Sequence, residues 1–186
     1  MAIIERPNKN DYSNFEVIRD EEFKNTDLSD LECLDLTEAE KIGSYAFASC
    51  KIKGDVVFGY DWSNREECNG CCCHAYDTIE YYEECKGVGV EKDGHCFINV
   101  TYSDRIDWMK YSIHNGAFAN NPDLKSFRFL SKTPPSFEPS QRTLSIGSYS
   151  NIKYPTIYVP SDAVDAYKQA LYNAKMLDAV EKVEGY

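Results

Sequence analysis

The 186-residue chain is 42% apolar and carries 31 acidic against 20 basic side chains, for a net charge of −11 and a pI of about 4.7. That length supports one domain with a sizeable core, and the acidic balance argues against unaided binding to nucleic-acid phosphates, which needs clustered Lys and Arg. No apolar run approaches the roughly 18 residues of a membrane span, and residues 1–14 lack the basic start and apolar centre of a secretory signal. A cytoplasmic location is therefore expected, or the cell surface if a leader has been removed.

Residues 1–14, with Pro7, Asn8, Asn10 and Asn14, are polar and read as an extended lead-in. A unit from Phe15 to Leu36 follows. It contains an isoleucine five residues before a phenylalanine, Ile18 and Phe23, and the same pairing recurs at Ile42 and Phe47 and at Ile113 and Phe118. Phe23 to Phe47 is 24 residues and Phe47 to Phe118 is 71, or three steps of about 23.7, within the 20 to 29 residue period of leucine-rich repeats. Lys53, Val56 and Phe58 lie 6, 9 and 11 residues after Phe47, and Leu124, Phe127 and Phe129 lie at the same offsets after Phe118. Leu31, Leu34 and Leu36 keep the spacing two residues late. Each unit reads as a bend carrying a buried phenylalanine, then a short strand whose alternate residues point inward, covered by the next turn of the chain. Residues 1–36 thus form a lead-in and capping unit whose Asp27, Asp30, Glu32 and Asp35 face water, and 37–58 form a regular unit.

The pattern breaks over 59–112, where Cys71 and Gly94 stand near the expected phenylalanine positions. Two degenerate units, or one long insertion, would account for it. The alternation from Phe97 to Tyr102 predicts a strand. Cys68-Asn69-Gly70-Cys71-Cys72-Cys73-His74, with Cys85 and Cys96, places six of the eight cysteines between 68 and 96. A C-x-x-C turn sets two thiolates on one side, so Cys68, Cys71, Cys73 and Cys85 are a candidate zinc set; disulfides and reduced, packed thiols are the alternatives. A cysteine nucleophile at Cys71, Cys72 or Cys73, with His74 or His95 as base, finds no recognisable orienting group. His114 is expected on the surface, and Asn99-Val100-Thr101 fits a glycosylation sequon. Trp62, Tyr76, Tyr81, Tyr82, Trp108 and Tyr111 lie in or beside this segment, and exposed Trp and Tyr are enriched where binding energy concentrates; alternate members are equally readable as core.

The regular unit resumes over 113–132, and Thr133-Pro134-Pro135 is expected to stop it, since proline removes a backbone donor and restricts its predecessor. Within 133–186, Ser145 to Tyr149 reads as a loop and Thr156 to Val159 as a final strand. Ser161 is a candidate N-cap for a helix with Asp162 and Asp165 near its positive end. Val164, Tyr167, Leu171, Ala174 and Leu177 give that helix one apolar stripe.

I-G-S-Y-A-F-A-S-C from Ile42, I-H-N-G-A-F-A-N-N-P-D-L from Ile113, T-P-P-S-F from Thr133 and I-Y-V-P-S-D-A-V-D-A-Y-K-Q-A from Ile157 together resemble the BspA-like leucine-rich repeat family, with Asn121 where the family prefers cysteine. The resemblance covers 18–58 and 113–170; residues 59–112 depart from it. It implies an α/β chain leaning to β: a short right-handed solenoid with a parallel sheet, here carrying a cysteine-rich interrupting loop and a C-terminal capping helix, with Cys50 in the core. Members are mostly bacterial-surface, phage or protist proteins that adhere to or recognise other molecules. The expected function is a non-enzymatic recognition scaffold that binds a protein partner through 59–112, with Trp62, Tyr76, Tyr81, Tyr82 and Trp108 as binding residues and no required cofactor. The alternative is an acidic intracellular phage-type inhibitor of a basic nucleic-acid-handling protein; a cysteine-dependent enzyme stands third.

Overall fold

A computed structural model of the chain describes residues 17–64, 90–92, 95–97 and 111–186. Two compact units make it up, one of Met1–Asn64 with Tyr111–Tyr186 and one of Arg65–Lys110. In the second unit the described backbone is a short antiparallel pair, Val90–Lys92 against His95–Phe97.

The first unit is mixed α/β, built on a five-stranded parallel sheet. In chain order its strands are β1 (Val17–Ile18), β2 (Cys33–Leu36), β3 (Lys41–Ile42) and β4 (Asp55–Phe58); the second unit's pair are β5 and β6; then come β7 (Ser126–Phe129), β8 (Thr156–Val159) and β9 (Val183–Gly185). The large sheet has the order β2-β4-β7-β8-β9, and β1 pairs with β3 separately. Alternation explains why these short segments are strands: in β2, β4 and β8 every second side chain is fully buried, and the intervening ones are not. The register aligns Leu34, Val56, Phe127 and Ile157 in one inward row and Leu36, Phe58 and Phe129 in the next. The offsets read from sequence, including the two-residue delay in the first unit, are those of the paired strands.

A second wall faces this sheet. Ile18 pairs with Ile42 in parallel, Ile42 with Ile113, and Ile113 with Phe137. Between the walls Phe23 stacks on Phe47 at 5.3 Å and Phe47 on Phe118 at 5.6 Å, with ring planes 16° and 6° apart. The backbone around the three rings matches. Glu21, Tyr45 and Gly116, two residues before each phenylalanine, and Asn25, Ser49 and Asn120, two residues after, all have positive φ. These tight bends turn alternate amides toward the next layer: Phe23 N–H donates to Ala46 O and Phe47 N–H to Ala117 O. Glycine is needed at 116, where a Cβ would approach the Tyr45 ring to 2.6 Å in addition to the left-handed φ of +68°.

Asn121 ties two layers together. Wholly buried, its Oδ1 accepts from the amides of Cys50 (3.0 Å) and Ile52 (3.2 Å), while its Nδ2 donates to the carbonyls of Phe47 and Phe118, both at 2.9 Å, and of Ala119 at 3.2 Å. The Cys50 thiol, buried as expected, donates to Phe23 O at 3.0 Å from the corresponding place one layer earlier.

Several expectations need correction past Pro135. The prolines do not end the stacking, because Phe137 bridges to Ile113 and the sheet continues through β8. Nor is β8 the last strand: β9 pairs with it in parallel. Ser161 lies in a 3-10 turn, Ser161–Ala163, and its hydroxyl donates to Tyr186 O instead of capping a helix. Helix α1 (Val164–Asn173) buries Tyr167 and Leu171. Lys175, with φ of 65°, then ends the helical run, so Met176 is buried and Leu177, at 54% exposure, leaves the stripe to begin α2 (Leu177–Val180). No described helix is long and apolar enough to cross a membrane.

Candidate interaction face of the parallel sheet

Because side chains alternate across a strand, the residues that do not enter the core form the sheet's outer face. Parallel register sets Cys33, Asp55, Ser126 and Thr156 side by side, with Ser126 buried beneath its neighbours, and below them Asp35, Val57, Arg128, Tyr158 and Glu184. Leu130, 46% exposed, follows Arg128 on the same side, and Tyr186, 50% exposed, follows Glu184.

The centre of this face is Arg128. Its guanidinium carbon lies 5.1 Å from the Tyr158 ring centroid and 4.8 Å from that of Tyr186, close enough for attraction between cation and ring. The Tyr186 hydroxyl donates to Phe129 O at 3.2 Å, which holds its ring across β7 and β8. Two nearby carboxylates are already engaged: Asp55 Oδ1 accepts from the Ser126 hydroxyl at 2.8 Å, and Asp35 Oδ1 accepts from the Thr37 amide at 3.0 Å. Partial burial pushes the Cys33 thiol pKa up, Asp35 and Asp55 raise it further, and Arg128 opposes them. The edge of the face at β2 is therefore an electronegative environment, unsuited to a reactive thiolate.

The residues singled out from sequence fall elsewhere. Trp62 is a correction: it is 6% exposed, its indole N–H donates to Glu40 O at 3.2 Å, and its ring meets Tyr60 at 5.7 Å and Phe129 at 6.3 Å. A large ring with a satisfied donor completes the core beside Phe129 instead of facing a partner. Tyr76, Tyr81, Tyr82 and Trp108 lie outside the described residues, as do Cys68, Cys71, Cys72, Cys73, Cys85, His74 and the Asn99 sequon. The zinc, disulfide and nucleophile expectations fall there too. Cys33 and Cys50 are free thiols, and the described residues contain no group of three or more His, Cys, Asp or Glu side chains able to hold a metal ion.

His114 is also a correction. It is 3% exposed, with Nε2 3.0 Å from Tyr111 O and Nδ1 3.5 Å from Glu138 Oε2. Glu138 is itself fixed by the Asn115 amide at 2.6 Å. Burial lowers the His114 pKa, Glu138 opposes that shift, and Lys41 adds to it.

Nothing in the composition of single strands signals the Arg128 grouping. Arg128, Tyr158 and Tyr186 are 30 and 28 residues apart in sequence and become neighbours only through strand pairing. The available hint was the alternation in Thr156-Ile157-Tyr158-Val159, which assigns Tyr158 to the face opposite the core residues. A separate groove of about 380 Å³ runs between the proline loop and α1, lined by Tyr111, Pro134, Pro135, Phe137, Ala170 and Ala174 among others.

Comparison of the chain with family models, with curated proteins and with solved structures gives no match.

Proposed function

We propose that the chain is a leucine-rich-repeat coil of the BspA-like type and acts as a non-enzymatic scaffold that binds a protein partner on the outer face of its parallel sheet. The observation that carries this reading is the single register row Asp35, Val57, Arg128, Tyr158 and Glu184, joined by the exposed Leu130 and Tyr186. Arg and Tyr held rigidly beside apolar and acidic neighbours are the side-chain types that concentrate binding energy at protein interfaces. The stacked phenylalanines and the matching positive-φ bends support the coil, since a chain that covers each layer with the next gains an extended, rigid sheet. Tyr76, Tyr81, Tyr82 and Trp108 are a separate set of candidate binding residues within 59–112, probed on their own by the linker variant below.

Capture of partners from reduced lysate by three baits tests it: the full chain, a Val57→Glu and Tyr158→Ala double variant, and a chain with 65–110 replaced by a short linker. A partner retained by the linker variant and lost by the double variant supports the sheet face. Retention by the double variant with loss by the linker variant would return the activity to 59–112. The acidic-inhibitor reading, motivated by the net charge of −11, requires capture that weakens steeply with salt as screening shortens the Debye length to about 8 Å near physiological strength.

A further inference from the structure

Resting on that reading of the sheet face, we propose that Arg128 is the anchor for a single carboxylate side chain of the protein partner. A guanidinium offers five N–H donors in a planar fork that matches a carboxylate with two parallel bonds. Here the fork is preorganised by Tyr158 and by Tyr186, whose ring is fixed through its hydroxyl. Among the described residues Arg128 makes no ion pair and no side-chain hydrogen bond. Two carboxylates of the face are engaged elsewhere, Asp55 with Ser126 and Asp35 with the backbone of its own turn, and the third, Glu184, is separated from Arg128 by the intervening strand β8.

The surroundings select the charge of the ligand. Asp35, Asp55 and Glu184 lie on the same face, so a doubly charged phosphate meets about twice the repulsion of a carboxylate at equal distance, with one arginine to offset it. Val57 beside Arg128 and Leu130 beyond it supply apolar contact for the side chains flanking that carboxylate. The ligand is therefore a glutamate or aspartate next to an apolar residue on a protein surface.

The test is a nuclear magnetic resonance titration of the full chain with N-acetyl-Leu-Glu-Leu-amide, with its Gln counterpart, and with inorganic phosphate. The Glu probe should shift the Arg128 side-chain Nε–H and the Tyr158 and Tyr186 ring signals saturably, with the Gln probe weaker by up to about fivefold. Arg128→Gln should remove the response while the chain stays folded, with a melting temperature lowered only by the loss of the two ring contacts of this half-buried side chain. Equal shifts from both peptides, a larger response to phosphate, or no movement at Arg128 overturns the proposal. Partner capture lost in the Val57→Glu and Tyr158→Ala variant but kept by Arg128→Gln would remove the anchor and leave the binding face standing.

Discussion

Replacing Asn121 by alanine removes a side chain that bonds both to its own layer and to the one before it, and the structure sets the scale of the loss. Four backbone groups lose their side-chain partner: the amides of Cys50 and Ile52 and the carbonyls of Phe47 and Phe118. Ala119 O keeps the Ser49 amide at 2.9 Å. Buried carbonyls tolerate such a loss better than buried amides, so the two amides dominate. At about 1–3 kcal/mol for each unsatisfied buried group, the substitution should cost about 2–6 kcal/mol, a large part of a typical total of about 5–15 kcal/mol. For a chain of this length that corresponds to a fall in melting temperature of roughly 4–24 °C, read by circular dichroism or calorimetry. Asn121→Cys should fall between alanine and the parent, because a thiol at the corresponding place, Cys50, reaches the carbonyls of Phe23 and Ala48, while sulfur accepts from backbone amides more weakly than an amide oxygen does. Asn121→Asp adds a discriminating signature. It keeps the acceptor but sets a carboxylate among three carbonyls, which raises its pKa above the unfolded value, so stability should be regained on acidification and lost as pH rises. An alanine variant melting within about 1 °C of the parent, well short of the smallest fall expected, would refute the assignment of Asn121 as the tie between layers.

Phe47→Ala should cost about 3–5 kcal/mol, because the ring is fully buried and stacked on both Phe23 and Phe118; an unchanged urea midpoint would remove it from the core. Gly116→Ala should destabilise by about 1–3 kcal/mol through the left-handed backbone and the Tyr45 contact, and Tyr45→Ala in the same chain should return only the contact part. For His114 the folded pKa lies below 6.5 because burial disfavours the cation. Its contribution is thus fully present above the unfolded pKa of about 6.5 and is lost as pH falls through the folded value, with a slope of at most about 1.4 kcal/mol per pH unit for one proton. His114→Gln, which can still donate to Tyr111 O, should flatten the stability profile below about pH 6.5; an identical profile would show that His114 titrates alike in both states.

The sequence by itself determined the elements whose information is local or periodic. The isoleucine and phenylalanine pairs, the offsets of Val56, Phe58, Phe127 and Phe129, and the alternation of β8 predicted which side chains stack, because strand period and bend spacing are written into adjacent residues. The exposure of Asp27, Asp30, Glu32 and Asp35 followed from the acidic run itself, which reads as a solvated face. Tertiary structure decided the rest. His114 is buried because Glu138, 24 residues on, closes over it, and Trp62 is core because Phe129, 67 residues on, offers its ring a packing surface. Strand β9 has only three residues, too few for a periodic signal, and exists because β8 presents an open edge to it. Arg128 meets Tyr158 and Tyr186 for the same reason. Pairing of parallel strands joins residues that the intervening chain keeps far apart in sequence, and a side chain's surroundings are then set by its neighbours across the sheet instead of its neighbours along the chain.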